Sequence, residues 1–275
     1  MGLVRHPAVA GLFYDADPIK LSRNVSDLLN EAKEQTVNGV LRGLISPHAG
    51  YVYSGSTAAS GYRLLKGKKY DAVVVVGPSH REYFSGISIY PGDGFLTPLG
   101  EVPIHHEIRE ALIGQTKFLK LSELGHRGEH SIEVQLPFLQ KSLGAFSFVP
   151  VVIGNQRREY CLALGEALAR VGRERNLLLV ASSDLSHYHP YDEAVGLDRK
   201  VVEQIRAFDQ DALMTLLERE QVEACGGGPV VAVMHASKAL GANNAQPLHY
   251  CNSGDITGEK DAVVGYLSAA LTQLN

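Results

Sequence analysis

No apolar stretch in these 275 residues approaches the ~20 needed to span a bilayer, so a membrane-embedded protein is not expected. The opening MGLVRHPAVAGLFYDADP carries no signal-peptide hydrophobic region, which points to a cytoplasmic protein. Cysteine is scarce: Cys161, Cys225 and Cys251 are widely spaced and form no C-x-x-C pair, which excludes a disulfide framework and suits a reducing compartment. An excess of positive charge is missing as well. Net charge is −4, so there is no electrostatic footprint for nucleic acid or for an anionic membrane surface. The chain has no Walker motif and no G-x-G-x-x-G after a strand, and so no nucleotide cofactor is expected. It has no H-E-x-x-H. Ser182, Ser183 and Ser186 stand near Asp184 and His187, but the G-x-S-x-G elbow of a serine hydrolase is absent. Repeats, low-complexity tracts and linkers are also lacking, which leaves one domain over residues 1–275.

What the chain does have is histidine, eleven in all, and four segments built alike. Residues 176–191, NLLLVASSDLSHYHPY, open with an apolar run suited to a strand covered on both faces. The run ends in small residues followed by Asp184, Ser186 and His187. Gly43–His48 also closes a strand on a histidine, and Tyr70–Val76 runs into Gly77-Pro78-Ser79-His80. A fourth strand near Pro247 ends at Cys251. Open α/β sheets bind ligands beyond the carboxyl ends of their strands. Four such ends at one sheet edge would gather His48, His80, Asp184, His187 and Cys251 into one crevice. Singly, each residue has an ordinary structural explanation; jointly they point to a metal or acid–base site.

Two imidazoles and a thiolate suit Fe(II), Cu(I) or Zn(II) better than Mg or Ca. Three protein ligands leave a coordination position open, as catalytic sites do. Asp184 and His187, three residues apart, either form an orienting pair or address the bound species separately. A histidine near its ordinary pKa of ~6.5 is a suitable proton shuttle. His130 and Glu133 share a face of an expected helix, as metal donors or as an ordinary ion pair, and His130 fits a supporting or substrate-binding role. The glycine run 226–228 reads as a flexible helix entry.

The local signals alternate β and α, giving an α/β/α sandwich around a central mixed sheet. Asp17 and Pro18 begin a helix running to about Gln35. Strands are expected at Val40–Ser46, Tyr70–Val76, Gly86–Tyr90, Phe146–Ile153 and Leu177–Val180, with a hairpin across Gly100. Helices are expected at Ser56–Leu65, His105–Ile113, Glu159–Val171, Asp192–Phe208, Asp211–Arg219 and up to Leu240. A further helix over Gly128–Leu143 is expected to kink at Pro137. Periodicity leaves Ala262–Ala270 open between strand and helix.

SPHAGYVYSG (46–55), GPSH (77–80), GEHSIEVQLPF (128–138), SSDLSHY (182–188) and HYCNSGD (249–255) resemble the Memo family, named for a mediator of receptor-kinase-driven cell motility. The resemblance spans essentially the whole chain. It implies a fold similar to the class III extradiol dioxygenases, non-haem iron enzymes, with metal ligation by His48, His80 and Cys251. It implies that Asp184 and His187 line the same pocket, and that His130 falls where related dioxygenases have a pocket histidine. Those dioxygenases use a carboxylate as third ligand; a thiolate in its place favours copper. The expectation is a redox-active metal protein acting on a small molecule or peptide, with Fe(II) or Cu(I) foremost and His187 as acid–base. In prokaryotes the resemblance also implies a radical-SAM system as partner. The competing reading is a non-catalytic module that binds phosphopeptides or other anions in the same pocket.

Overall fold

The computed structural model describes residues 2–274. In chain order the elements begin with β1 (Val4–Arg5), α1 (Pro18–Glu31), β2 (Val40–Ser46), α2 (Tyr51–Tyr62) and β3 (Ala72–Pro78). The next group is β4 (Ile87–Ile89), β5 (Gly94–Thr97), β6 (Gly100–Pro103), α3 (His106–Leu112) and β7 (Leu119–Leu121). Then come α4 (Leu136–Leu143), β8 (Phe148–Ile153), α5 (Arg158–Gly172), β9 (Leu177–Ser182), β10 (His187–His189) and α6 (Tyr191–Arg206). The chain closes with α7 (Gln210–Glu218), α8 (Gly227–Ala239), β11 (Asn244–Asn252), α9 (Ser253–Thr257) and β12 (Val263–Gln273).

The central sheet runs β10-β12-β2-β9-β3-β8-β4-β7, with β11 also paired to β12. Its middle, β2, β9, β3 and β8, is parallel, while β12 and β4 flank it antiparallel, so the sheet is mixed. The four parallel strands read as near-continuous apolar runs because both faces are covered. In β3, Val73 and Val75 pack toward α1, α2 and α4, whereas Ala72, Val74 and Val76 face α3, α5 and α8. That alternation is the two-residue period of a strand, and each fully buried valine contributes roughly 1.5–3 kcal/mol. A small three-stranded sheet, β1-β5-β6, holds the expected hairpin. No helix among the described residues is long and apolar enough to cross a membrane.

Three elements depart from the sequence reading. Helix α2 begins at Tyr51, not Ser56, so Tyr51–Gly55 forms the head of the helix. The expected helix over Gly128–Leu143 is instead a 3₁₀ turn, Glu133–Gln135, running into α4, with Pro137 in the first turn. Proline is tolerated there because the first N–H groups of a helix have no intrahelical acceptor, and it makes no kink. The undecided C-terminal segment is a strand, β12, with its neighbours β2 and β11 on either side.

One buried histidine in this framework carries a pH consequence. His126 lies near Tyr90 and Phe95, and neither ring nitrogen has a hydrogen-bond partner. Burial pushes its pKa from 6.5 down to about 3. The unfolded chain therefore takes up a proton that the folded chain refuses. The stability His126 contributes is complete above pH ~6.5 and is lost as pH falls toward the folded value, by up to about 1.4 kcal/mol per pH unit. Urea unfolding of His126→Leu should show a smaller loss between pH 7 and pH 5 than the parent. An equal loss in both proteins removes His126 from the acid response.

Candidate metal centre

The chain leaves β2 toward α2 on one face of the sheet and leaves β9 toward α6 on the other. β9 lies between β2 and β3, so a crevice opens beyond the carboxyl ends of these strands, the place α/β sheets offer for ligands. Three sequence-predicted histidines meet there. One ring nitrogen each from His48, His80 and His130 lies within 4.8 Å of the other two. The His80 and His130 rings stack at 4.7 Å, and His48 stands edge-on to both. A second group of donors satisfying the same 4.8 Å limit is His48, Asp184 and Cys225. His48 belongs to both.

Protonation at His48 follows from its neighbours. Its Nδ1 lies 2.8 Å from the Ser182 hydroxyl. That hydroxyl gives its own proton to the Ser131 carbonyl at 2.6 Å and accepts from Gln135 Nε2 at 2.8 Å. With its single donor spent, Ser182 can only accept from His48, so Nδ1 carries the hydrogen and Nε2 is bare. Burial first, then the neighbouring imidazoles, hold the His48 pKa well below its ordinary value, so the ring is neutral. The bare Nε2 faces the Cys225 sulfur at 3.1 Å.

His80 is held by Glu129. One carboxylate oxygen accepts from His80 Nδ1 at 2.9 Å, and the other from the His80 backbone N–H at 2.6 Å. An ionised carboxylate only accepts, so Nδ1 of His80 carries hydrogen and Nε2 is the nitrogen a neutral His80 ring offers for ligation. The backbone N–H groups of His130 and Ser131 add two more donors to Glu129, each at 2.9 Å. Despite burial, these hydrogen bonds and His80 hold the Glu129 carboxyl well below the usual carboxylate range. His130 is pushed down to about 4 by burial, and its Nδ1 is buried without a hydrogen-bond partner.

Asp184 lies just beyond β9 and accepts the His48 N–H at 2.8 Å; burial raises its pKa to about 7. Asp184 N–H in turn reaches the Cys225 sulfur at 3.2 Å. His187, on β10, lines the cavity with His48, His80, His130 and Asp184, and burial lowers its pKa. It belongs to neither donor group.

Cys251, the thiol expected from the strand ends, is in neither donor group. Cys251 stands on β11, with β12 between it and β2. Two strand spacings, roughly 10 Å, separate it from the His48 strand. Its sulfur meets Thr57 of α2 at 3.1 Å, and Thr57 also contacts His249 at 2.8 Å. The thiol brought to His48 is Cys225, which the sequence reading left aside. It arrives on the loop before α8, where Gly226 passes so close to β9 that a Cβ would collide with the Ser182 carbonyl. The glycine run is therefore a close approach and not a flexible entry. A cysteine directly before glycines and a helix start was the available signal. Glu129 and Ser182, which fix the two tautomers, were also missed. Glu133, paired in the sequence reading with His130, instead turns away to Arg5 at 2.7 Å.

The donor set fits a metal ion. Two imidazoles are held through Nδ1 with Nε2 turned to ligation, a third has a buried nitrogen without a partner, and a thiol and a carboxyl stand beside them.

A Memo-like protein profile matches residues 5–270. A MEMO1 family protein of Methanopyrus kandleri is 40% identical over 273 residues, covering 95% of this chain and 96% of its own length. One of Methanocaldococcus jannaschii is 39% identical over 286 residues, covering 98% and 99%. Among solved structures, an uncharacterised Escherichia coli K12 protein superposes with a TM-score of 0.59 at 16% identity, over 84% of this chain and 100% of that one. At that identity the likeness speaks for the fold alone. With the profile and relatives of this identity both spanning nearly all of it, the chain belongs to the Memo family.

Proposed function

We propose that this protein binds one soft-to-borderline metal ion at His48, His80 and Cys225, with His130 and Asp184 beside it, and uses it for redox chemistry on a small molecule. The observation that carries the reading is the pair of fixed tautomers: Ser182 and Glu129 take the Nδ1–H of His48 and His80 and leave Nε2 of each ready to ligate. Imidazole plus thiolate favours Fe(II), Cu(I) or Zn(II), and the first two add redox capability. A bound ion would supply a Lewis-acidic, electron-transferring centre. Beside that charge Cys225 ligates as thiolate, although burial alone raises its pKa. His187, neutral and lining the same cavity, takes or returns a proton there. The kinship to class III extradiol dioxygenases that the sequence motifs imply accords with a ligand site at strand ends, with Cys225 in the place of a carboxylate.

The test is anaerobic reconstitution of the metal-free chain with Fe(II), Cu(I) or Zn(II) singly. About one ion per chain is expected, with His48→Ala and Cys225→Ser each weakening it more than tenfold and Cys251→Ser leaving it intact. Mass-spectrometric alkylation should show Cys225 shielded by the ion, with Cys161 and Cys251 unaffected. Equal losses for Cys225→Ser and Cys251→Ser would sink the ligand assignment. Retention of Zn(II) alone would sink the redox part.

A further inference from the structure

A second cavity, ≈ 600 Å³ in volume, opens between α1, α4 and the 3₁₀ turn Arg63–Leu65 that follows α2. It shares no lining residue with the crevice of the histidines. Val52 and Tyr53 line that crevice at the head of α2, and Arg63 lines the second cavity beyond its tail. About ten helical residues, roughly 15 Å, separate the two. The volume falls within the ~300–1,000 Å³ of ordinary small-molecule sites. Leu29 is the single apolar residue of its lining, which sets aside an apolar or aromatic ligand. Arg63, Lys66 and Lys141 line it against one carboxyl, Glu34, so two positive charges stand uncompensated in a chain of net charge −4. None of the three cations forms an ion pair among the described residues, whereas Arg109, Arg158 and Arg199 each sit beside a carboxylate.

Arg63 is fixed in advance of any ligand. Its Nη1 lies 3.1 Å from each of the carbonyls of Leu29, Asn30 and Ala32 at the end of α1, while Nε and Nη2 have no partner among the described residues. A basic side chain over a helix C-terminus is an ordinary stabilising arrangement, and it accounts for Arg63 taken alone. It does not account for Lys66 and Lys141 reaching the same cavity from two other elements. Nor does it account for Ser142, whose Oγ is buried there without a hydrogen-bond partner. The neutral groups beside them suit hydroxyls. Ser26 gives its proton to the Ser22 carbonyl at 2.8 Å and so can only accept from a ligand. The Asn30 amide, with no side-chain partner among the described residues, can donate and accept.

We propose that this cavity binds the phosphate monoester of a small polyol, with the phosphate between Arg63, Lys66 and Lys141 and the hydroxyls on Ser26, Asn30 and Glu34. A phosphate monoester carries about −1.5 to −2 charge at neutral pH, which matches the two uncompensated cations. A single carboxylate leaves one of them unmet. The site is independent of the metal centre, and its occupation does not rest on the proposed metal function.

The experiment uses the metal-free full chain, where no ion can hold a phosphate, and titrates glycerol 3-phosphate, glycerate, glycerol and inorganic phosphate by calorimetry or ligand-observed NMR. Glycerol 3-phosphate should bind at least tenfold more tightly than each of the other three. A double variant, Lys66→Gln with Lys141→Gln, should weaken it at least tenfold at an unchanged urea midpoint; Arg63 stays in place because it caps α1. Asn30→Ala should weaken glycerol 3-phosphate and leave inorganic phosphate unchanged. Arg81→Gln, in the lining of the crevice, should change neither. Glycerol 3-phosphate indifferent to the double variant, or lost in Arg81→Gln, overturns the placement. Glycerate binding as well as glycerol 3-phosphate overturns the phosphate, and inorganic phosphate binding as well overturns the polyol. Metal affinity of the double variant, measured separately, should equal the parent's. Failed metal binding with intact glycerol 3-phosphate recognition removes the proposed function alone, and the reverse removes this inference alone.

Discussion

Replacing Arg5 with alanine will cost the fold about 3–5 kcal/mol, the range for removing one partner of a buried ion pair. Arg5 and Glu133 meet at 2.7 Å with side chains 5% and 0% exposed. The Glu133 carboxylate also accepts from the N–H groups of Ala8 and Val9 and from the Tyr14 hydroxyl. Without the guanidinium it stays buried with its charge uncompensated. Arg5 also donates to the carbonyls of His126 and Glu129, two acceptors that the truncation orphans. The damage reaches the site, because the backbone Arg5 grips carries Glu129 and His130. The urea midpoint should fall at unchanged slope, and metal affinity should fall with it. A double variant, Arg5→Leu with Glu133→Leu, should recover only part of the loss, since Ala8, Val9 and Tyr14 then lose their acceptor. An Arg5→Ala midpoint within error of the parent would show that water reaches Glu133 and that the pair is not buried in solution.

How far the sequence discloses this architecture depends on how local each cause is. β2 is expected at Val40–Ser46 and found there, because a strand covered on both faces writes its burial into an unbroken apolar run. Asp17 and Pro18 start α1 as their chemistry dictates, Asp17 accepting from the Ile19 and Lys20 N–H groups. His48 and His80 are legible for the same reason: each follows a readable strand, and parallel strands end at one edge. Cys225 is not legible that way. It comes from a loop, and its place beside His48 depends on a non-local close approach of Gly226 to Ser182. Cys251 satisfies the strand-end rule but stands on β11, with β12 between it and β2, and the order of strands in a sheet is a tertiary fact. The apolar spacing of Gly128–Leu143 is genuine, yet only its second half, Leu136–Leu143, is α-helical. In the first half the Glu129 carboxylate binds the backbone N–H groups of His130 and Ser131, and helical spacing cannot reveal that competition.

Glu129→Gln should weaken metal binding about 10–100-fold, the usual consequence of losing the group that orients a ligating histidine. The substitution conserves shape, so the effect isolates protonation and charge. Four donors converge on this carboxylate: His80 Nδ1 and the N–H groups of His130 and Ser131 on one oxygen, the His80 N–H on the other. An amide must turn its NH2 toward one of those oxygens' positions and set donor against donor. If it faces the His80 N–H, a contact now 2.6 Å long is lost and the turn after β3 shifts. If it faces His80 Nδ1, the imidazole must move its proton to Nε2 and so lose the free nitrogen that ligation needs. The pH dependence separates this from simple loosening. With its pKa held below the ordinary 4.5, Glu129 contributes stability that is complete above that value and is lost only as pH falls toward the folded one. The parent and Glu129→Gln should therefore differ in unfolding free energy by a constant amount from pH 5 to 8, with the gap closing below pH ~4.5. Glu129→Asp, which keeps the charge but shortens the reach, should retain more metal than Glu129→Gln. Equal metal affinity in parent and Glu129→Gln would mean that His80 is oriented by something other than this carboxylate, and the tautomer argument for the site would then rest on His48 alone.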